Sequence, residues 1–200
     1  MSINEILALD KYQRIAVLNQ ISGVRSAHLI GSKNASGASN LAIFNSMVHI
    51  GANPPLMGFI MRPLTVERHT YHNIKDTGCF TVNHISIAQH QKAHQTSAKY
   101  PSDVSEFEAC GFEEEYLGGF KAPYVKTSPI KLGLTFVEDQ LIKANQTRLV
   151  IGKVEEIYIA NEAFDKEGRI NFENLELSGV SGLDTYYSFK KLGTYPFARP

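Results

Sequence analysis

Apolar residues along this chain fall mostly in short runs separated by turn-forming clusters, the pattern of a strand-rich fold. The first exception is Ser2-Ile3-Asn4-Glu5, which has capping-box spacing, with Ile3, Ile6 and Leu7 at helical intervals; it predicts a short amphipathic helix at the N-terminus. Ser26 to Ser32 predicts a strand running into the turn-rich segment Lys33 to Asn40. Leu41 to Ile50 and Leu56 to Met61 predict two strands joined across Gly51-Ala52-Asn53-Pro54-Pro55. Arg68 to Ile74 forms a helical turn closed at Gly78, Cys79 to Asn83 alternates as a strand, and Ser86 caps a helix reaching about Gln95. Ser97 to Pro129, with three prolines and three glycines, is expected to be mostly loop around a small helix opened by a Ser105 capping box. Leu132 to Leu141 and Leu149 to Ala160 predict two long strands, the second alternating imperfectly, before an aromatic-rich tail. Strands outnumber helices, so the expected class is mainly β: a closed barrel with peripheral helices.

Two hundred residues, 43% of them apolar, suffice for one sizeable core, and one domain over residues 1–200 is expected. Twenty basic and twenty acidic side chains cancel without blocks of like charge, which argues against nucleic acid or a membrane surface as partner. An anion bound here must be held locally. No apolar run approaches a membrane span, and Met1 to Asp10 lacks a basic stretch before its apolar residues. Cys79 and Cys110 are far apart and suit free thiols, so a cytoplasmic location is expected.

The candidate chemistry begins at Ser39-Asn40-Leu41-Ala42-Ile43-Phe44-Asn45-Ser46, where a strand just after a turn presents backbone groups beside small polar side chains. Such an edge suits the pyrimidine side of a flavin. Farther on, Arg62 offers a forked permanent cation, and Thr70 and Asn73 fall on one face of a helical turn whose amides favour an anion. The plainer alternative pairs Arg62 with Glu67 or Asp76 and leaves Thr70 as a helix cap. His90 and His94, four apart, and the pair His69 and His72 invite a metal, but no third ligand is evident nearby and no metal is expected. His69 or His72 could instead touch a flavin phosphate or a nicotinamide.

In order, Ser39-Asn40-Leu41-Ala42 through Asn45-Ser46, Asn53-Pro54-Pro55, Arg62-Pro63, Thr70 with Asn73-Ile74, and Gly78 to Asn83 resemble the flavin reductase-like family of FMN-binding split barrels. The similarity spans roughly Ser22 to Ala160. It implies a Greek-key split β-barrel that forms a homodimer with FMN near the subunit interface. By the same resemblance, Ser39, Asn40, Leu41, Ala42, Phe44, Asn45 and Ser46 line the ring and ribityl chain, Arg62, Thr70 and Asn73 lie by the phosphate, and Asn83 belongs to the cofactor-binding set. Asn45 stands where a serine is more usual. The ending Tyr-Pro-Phe-Ala-Arg-Pro is similar to that of the flavoredoxin-like branch, which puts Tyr186, Tyr187 and Arg199, with His69, on the substrate side; equally, the tail covers a barrel edge or a dimer partner.

The implied activity is oxidoreduction: NAD(P)H delivers a hydride to bound FMN, and electrons pass to a small molecule or a protein, such as free flavin, ferric iron or an electron-transfer protein. The alternative is an electron carrier or flavin reservoir with no pyridine nucleotide site, since no GxGxxG fingerprint follows a strand. A barrel without cofactor is the third class.

Overall fold

The computed structural model of the chain describes residues 1–199, so Pro200, the last residue of the tail, lies outside the described residues. Helices α1 (Ile3–Leu7) and α2 (Lys11–Gln20) precede strands β1 (Arg25–Ser26), β2 (His28–Lys33), β3 (Ser39–Phe44), β4 (Val48–Ala52) and β5 (Pro55–Met61). Helix α3 (His69–Thr77), strand β6 (Cys79–His84) and helices α4 (His90–Gln95) and α5 (Glu106–Ala109) follow. The chain continues through β7 (Glu114–Glu115), β8 (Tyr124–Val125), β9 (Ile130–Ile142), β10 (Thr147–Ile159), β11 (Ser178–Ser181) and β12 (Thr185–Ser188).

Seven strands form one antiparallel sheet in the order β3-β2-β6-β9-β10-β5-β4. Its two edges, β3 and β4, are consecutive in the chain and joined by only Asn45, Ser46 and Met47. From Phe44 to Val48 the backbone reaches about 14 Å at most, so the sheet must curl until its edges nearly meet. Ser46 stands at the gap, its hydroxyl accepting the Ile60 amide at 3.1 Å and donating to the Ile60 carbonyl at 3.3 Å. The connection from β5 to β6, carrying α3, skips β10 and β9, which is the Greek-key crossing. The result is a split barrel with peripheral helices.

Ile30, Phe59, Phe80, Val82, Leu134 and Val150 fill the barrel, with Phe59 edge-on to Phe44 and Phe80 at 4.8 and 5.8 Å. A second apolar cluster outside it joins Leu29, Leu41, Ile85, Phe107 and Val180. Strand β2 lies between the two clusters, with Ile30 in one and Leu29 in the other, which is why both its faces are buried. The imperfect alternation of β10 has a physical cause: its pairing with β9 shifts register at Ile151/Gly152 and again between Val154 and Glu156. Gly152 sits at the first shift, where a Cβ would meet the Phe80 ring at 2.7 Å.

Several expectations need correcting. A second helix, α2, had no counterpart in the periodicity; Asp10 caps it, accepting the Tyr12 and Gln13 amides. The predicted strand Ser26 to Ser32 is broken at Ala27 into β1 and β2, and Leu41 to Ile50 is broken at the three-residue gap. Ser105 forms no capping box; its hydroxyl turns to Ser39 instead, at 2.7 Å. Strands β11 and β12 were not foreseen within the aromatic-rich end; β11 pairs with both β1 and β12 to make a three-stranded sheet. The Ser2 capping box, the left-handed Gly78 that ends α3, and the turn at Asn53-Pro54 between β4 and β5 all form as expected. No helix among the described residues is long and apolar enough to cross a membrane.

Candidate functional site

Strand β3 is bonded to β2 on one side only, so the backbone groups of every second residue on its other side need partners. The segment after α4 covers the first half of the strand, reaching the Ser39 hydroxyl and one of those backbone groups, the Leu41 amide. Ser39 meets Ser105 and Glu114, and the Leu41 amide donates to the Glu106 carboxylate at 3.0 Å. Burial pushes the Glu106 carboxyl above the ordinary glutamate value, although the amides it accepts oppose the shift. Leu41 faces away from β2, and by the two-residue period so does Ile43. Past Glu106 the edge at Ile43 therefore opens into a cleft of about 810 Å³.

The cleft runs between the barrel gap, the start of α3, the α4 side and the turn between β11 and β12. Ile43, Phe44, Ile60, Met61, Val180 and Leu183 give it apolar walls. At one end stand Arg62 and Arg68, neither in an ion pair among the described residues. Desolvation, then the charge of Arg62, lower the Arg68 guanidinium from its usual value, although it remains a cation. Two neighbouring guanidiniums without a carboxylate partner are donors that an anion can accept from. Next to them the Asn40 amide donates to the Thr70 hydroxyl at 3.0 Å, and both residues are buried; the hydroxyl keeps its own proton for a further acceptor. His69 lines the same end and lies 3.7 Å from the exposed Glu67 carboxylate.

The opposite wall comes from the end of the chain. The Asn45 side-chain amide donates to the Gly182 carbonyl at 2.6 Å. Tyr186 of β12 enters the cleft with its hydroxyl 3.2 Å from His94 Nδ1. His90 packs against the same tyrosine, with ring centroids 5.5 Å apart, and donates its Nδ1 proton to the Ile87 carbonyl at 2.7 Å. Each histidine of the helical pair thus has a protein partner, and no group of three metal-ligating side chains occurs among the described residues.

Of the residues singled out in the sequence, Asn40, Ala42, Phe44, Asn45, Ser46, Arg62, His69, Thr70 and Tyr186 come together in this cleft. Ser39, Asn73 and His72 line a smaller adjoining cleft of about 190 Å³. Asn73 is also bonded to Ser32, at 3.2 Å. Leu41 is fully buried and faces the second apolar cluster. Asn83 is also fully buried; its amide serves the Leu29 carbonyl and Thr81, and its carbonyl takes the Val125 amide, so it ties three strands rather than facing the cleft. Tyr187 and Arg199 are exposed and line neither cleft. Arg68, His94, Tyr100 and Glu106 also line the cleft, unforeseen as site residues from the sequence. Arg68 carries a signal in the sequence, as a second arginine just before the helical turn that holds Thr70, and so does His94, four residues from His90.

Comparison with known proteins locates this architecture. The sequence pattern of the flavin reductase like domain matches residues 24–176. A crystal structure from Shewanella frigidimarina NCIMB 400, described as a flavin reductase with a split barrel domain, is 44% identical, with 98% of each chain covered and a TM-score of 0.94. Nitrilotriacetate monooxygenase component B from Bacillus cereus is 21% identical over 98% of each chain, with a TM-score of 0.84. Flavoredoxin of Desulfovibrio vulgaris (Miyazaki F) is 16% identical, covering 88% of this chain and 92% of its own, with a TM-score of 0.77.

Proposed function

This chain belongs to the flavin reductase-like family, and on that premise we propose that it binds FMN in the large cleft and uses it to pass electrons from NAD(P)H to a second acceptor. The observation that carries the reading is the pair of unpaired guanidiniums, Arg62 and Arg68, beside the Thr70 hydroxyl at one end of a cleft whose middle is an open strand edge. Those groups suit a ligand that joins a phosphate to a heteroaromatic ring with a polar edge. The volume lies within the range of pockets that enclose a ligand of this size.

Arg62, Arg68, Thr70 and Asn40 would hold the phosphate by charge-assisted and neutral hydrogen bonds. The free backbone groups at Ile43, with Asn45 and Ser46, would meet the polar edge of the ring, and Phe44, Ile60 and Val180 would exclude water from its apolar side. Bound there, FMN supplies a two-electron carrier that the side chains alone lack.

Two further features belong to this reading. The chain acts as a homodimer: helices α1 and α2 bury no residue, Tyr12 and Ile21 are 83% and 70% exposed, and Leu192, Tyr195 and Phe197 at the other terminus are more than 80% exposed. Apolar side chains so placed at both termini suit contact with a second copy. The working compartment is the cytoplasm, which suits the two buried free thiols, Cys79 and Cys110.

The test is spectroscopic. The purified protein, mixed with FMN, is expected to quench flavin fluorescence at one equivalent per chain, and anaerobic NADH or NADPH is expected to bleach the bound flavin. Bound flavin that neither nucleotide bleaches would make the protein an electron carrier, and no binding would remove the cofactor altogether.

A further inference from the structure

Tyr186 and His94 come from positions 92 residues apart and meet in the cleft, hydroxyl to Nδ1 at 3.2 Å. A phenylalanine would fill the same apolar space, since Tyr186 already packs on the second cluster and stands edge-on to the His94 ring at 5.8 Å. What the hydroxyl adds is a proton inside the cleft. Burial, then the nearby Asp184 carboxylate, push it up to about 12, so it stays O–H throughout the physiological range. Such a phenol is an effective acid only if the oxygen is stabilised as the proton leaves. His94 is placed to do that, because a proton on its Nδ1 lies in line with the same oxygen. His90 cannot substitute, as its Nδ1 proton is committed to Ile87. The other titratable groups around the tyrosine are Asp184 from the hairpin turn, Lys99 and Tyr100 from the segment after α4, and Glu106 and Cys110 at α5.

We propose that Tyr186 protonates the electron acceptor in this cleft, with His94 as the positioning residue that restores its proton, and that the acceptor is a conjugated carbonyl compound of the quinone type. The inference rests on the reading that the cleft holds FMN. Reduction of a quinone to a hydroquinone consumes two electrons and two protons. NAD(P)H supplies the electrons and one proton as a hydride equivalent by way of the bound flavin, and is released as NAD(P)⁺. Tyr186 Oη gives the second proton to the quinone oxygen, His94 Nδ1 returns one to Tyr186, and water restores His94 at Nε2. A one-electron acceptor such as ferricyanide takes no proton and needs none of this.

The experiment compares wild type, Tyr186→Phe and His94→Gln, each loaded with FMN, in oxidation of the reduced protein by menadione and by ferricyanide. In Tyr186→Phe the ratio of menadione to ferricyanide rate is expected to fall at least about tenfold. In His94→Gln the ratio is expected to fall as well. A second readout uses the protein without flavin: ¹⁵N NMR of the histidine rings is expected to show the His94 Nδ1 resonance displaced by Tyr186→Phe, with the His90 pattern retained. Equal ratios in all three proteins, or a His94 resonance indifferent to Tyr186, overturn the assignment. Failure of wild type to bind FMN overturns the reading beneath it, an outcome distinct from bound flavin with unchanged ratios.

Discussion

Asn45 is bonded through its side-chain amide to the carbonyl of Gly182, 137 residues later, at 2.6 Å. The bond fastens the short link between the two sheet edges to the β11–β12 turn, and so joins the two walls of the cleft. Replacing Asn45 by alanine leaves a part-buried carbonyl without its donor, and is expected to lower stability by about 1 kcal/mol. Urea unfolding of the variant checks this, and a coincident weakening of FMN binding would locate the effect at the cleft.

Arg62→Ala is expected to weaken FMN binding at least about tenfold, because a charge-assisted bond is worth about 1.5–3 kcal/mol. Riboflavin, which lacks the phosphate, is expected to bind the variant as it binds wild type. Arg68→Ala should behave alike. Fluorescence titrations with both ligands decide the matter, and equal losses for the two would move the phosphate away from this end.

Glu106 gives a pH dependence whose sign follows from its burial. Its folded-state value lies above the ordinary 4.5, so its favourable contribution is complete at low pH and is lost as pH rises through the shifted value. Gln at this position keeps an oxygen for the Leu41 amide and carries no charge. Glu106→Gln is expected to be the more stable protein at pH 7, with the advantage shrinking toward pH 4 in thermal melts.

His28 and His84 face each other across β2 and β6 with ring centroids 4.3 Å apart, and neither Nδ1 has a hydrogen-bond partner. Burial holds His84 down at about 4 and, with the neighbouring ring, His28 well below 6.5. A depressed folded-state value stabilises above the unfolded value and is lost as pH falls. The protein is therefore expected to lose stability between pH 6.5 and 4, with about 3 kcal/mol from His84 alone at roughly 1.4 kcal/mol per unit. His84→Leu should flatten that slope in urea titrations at pH 7 and pH 5.

The barrel and one wall of the cleft were legible in the sequence because local chemistry fixes them. Turn residues bound β3, Gly78 ends α3, and Arg62 and Thr70 flank the same turn of chain. The other wall was not, since Tyr186 acquires its partner only when β12 folds back beside α4. Asn83 and Leu41 sit in segments that resemble the family, yet their positions in the pleat turn them inward, and order in sequence does not say which way a side chain points. Helix α2 was hidden because its apolar face, Ile15 and Leu18 with Tyr12, finds no partner within the described chain, so the pattern is weak.

The three-residue link at Asn45 to Met47 also has a meaning for how such a protein could change. No strand-to-strand ladder joins the two sheet edges there; a tether of fixed length, pinned to β5 by the Ser46 bonds to Ile60, sets their separation. One inserted residue would lengthen that tether by about 3.5 Å while leaving every rung of the ladder between β3 and β4 through the other five strands in register. The width of the slot is thus a separately adjustable dimension, open to enlargement for bulkier guests without rebuilding the wall that carries the load.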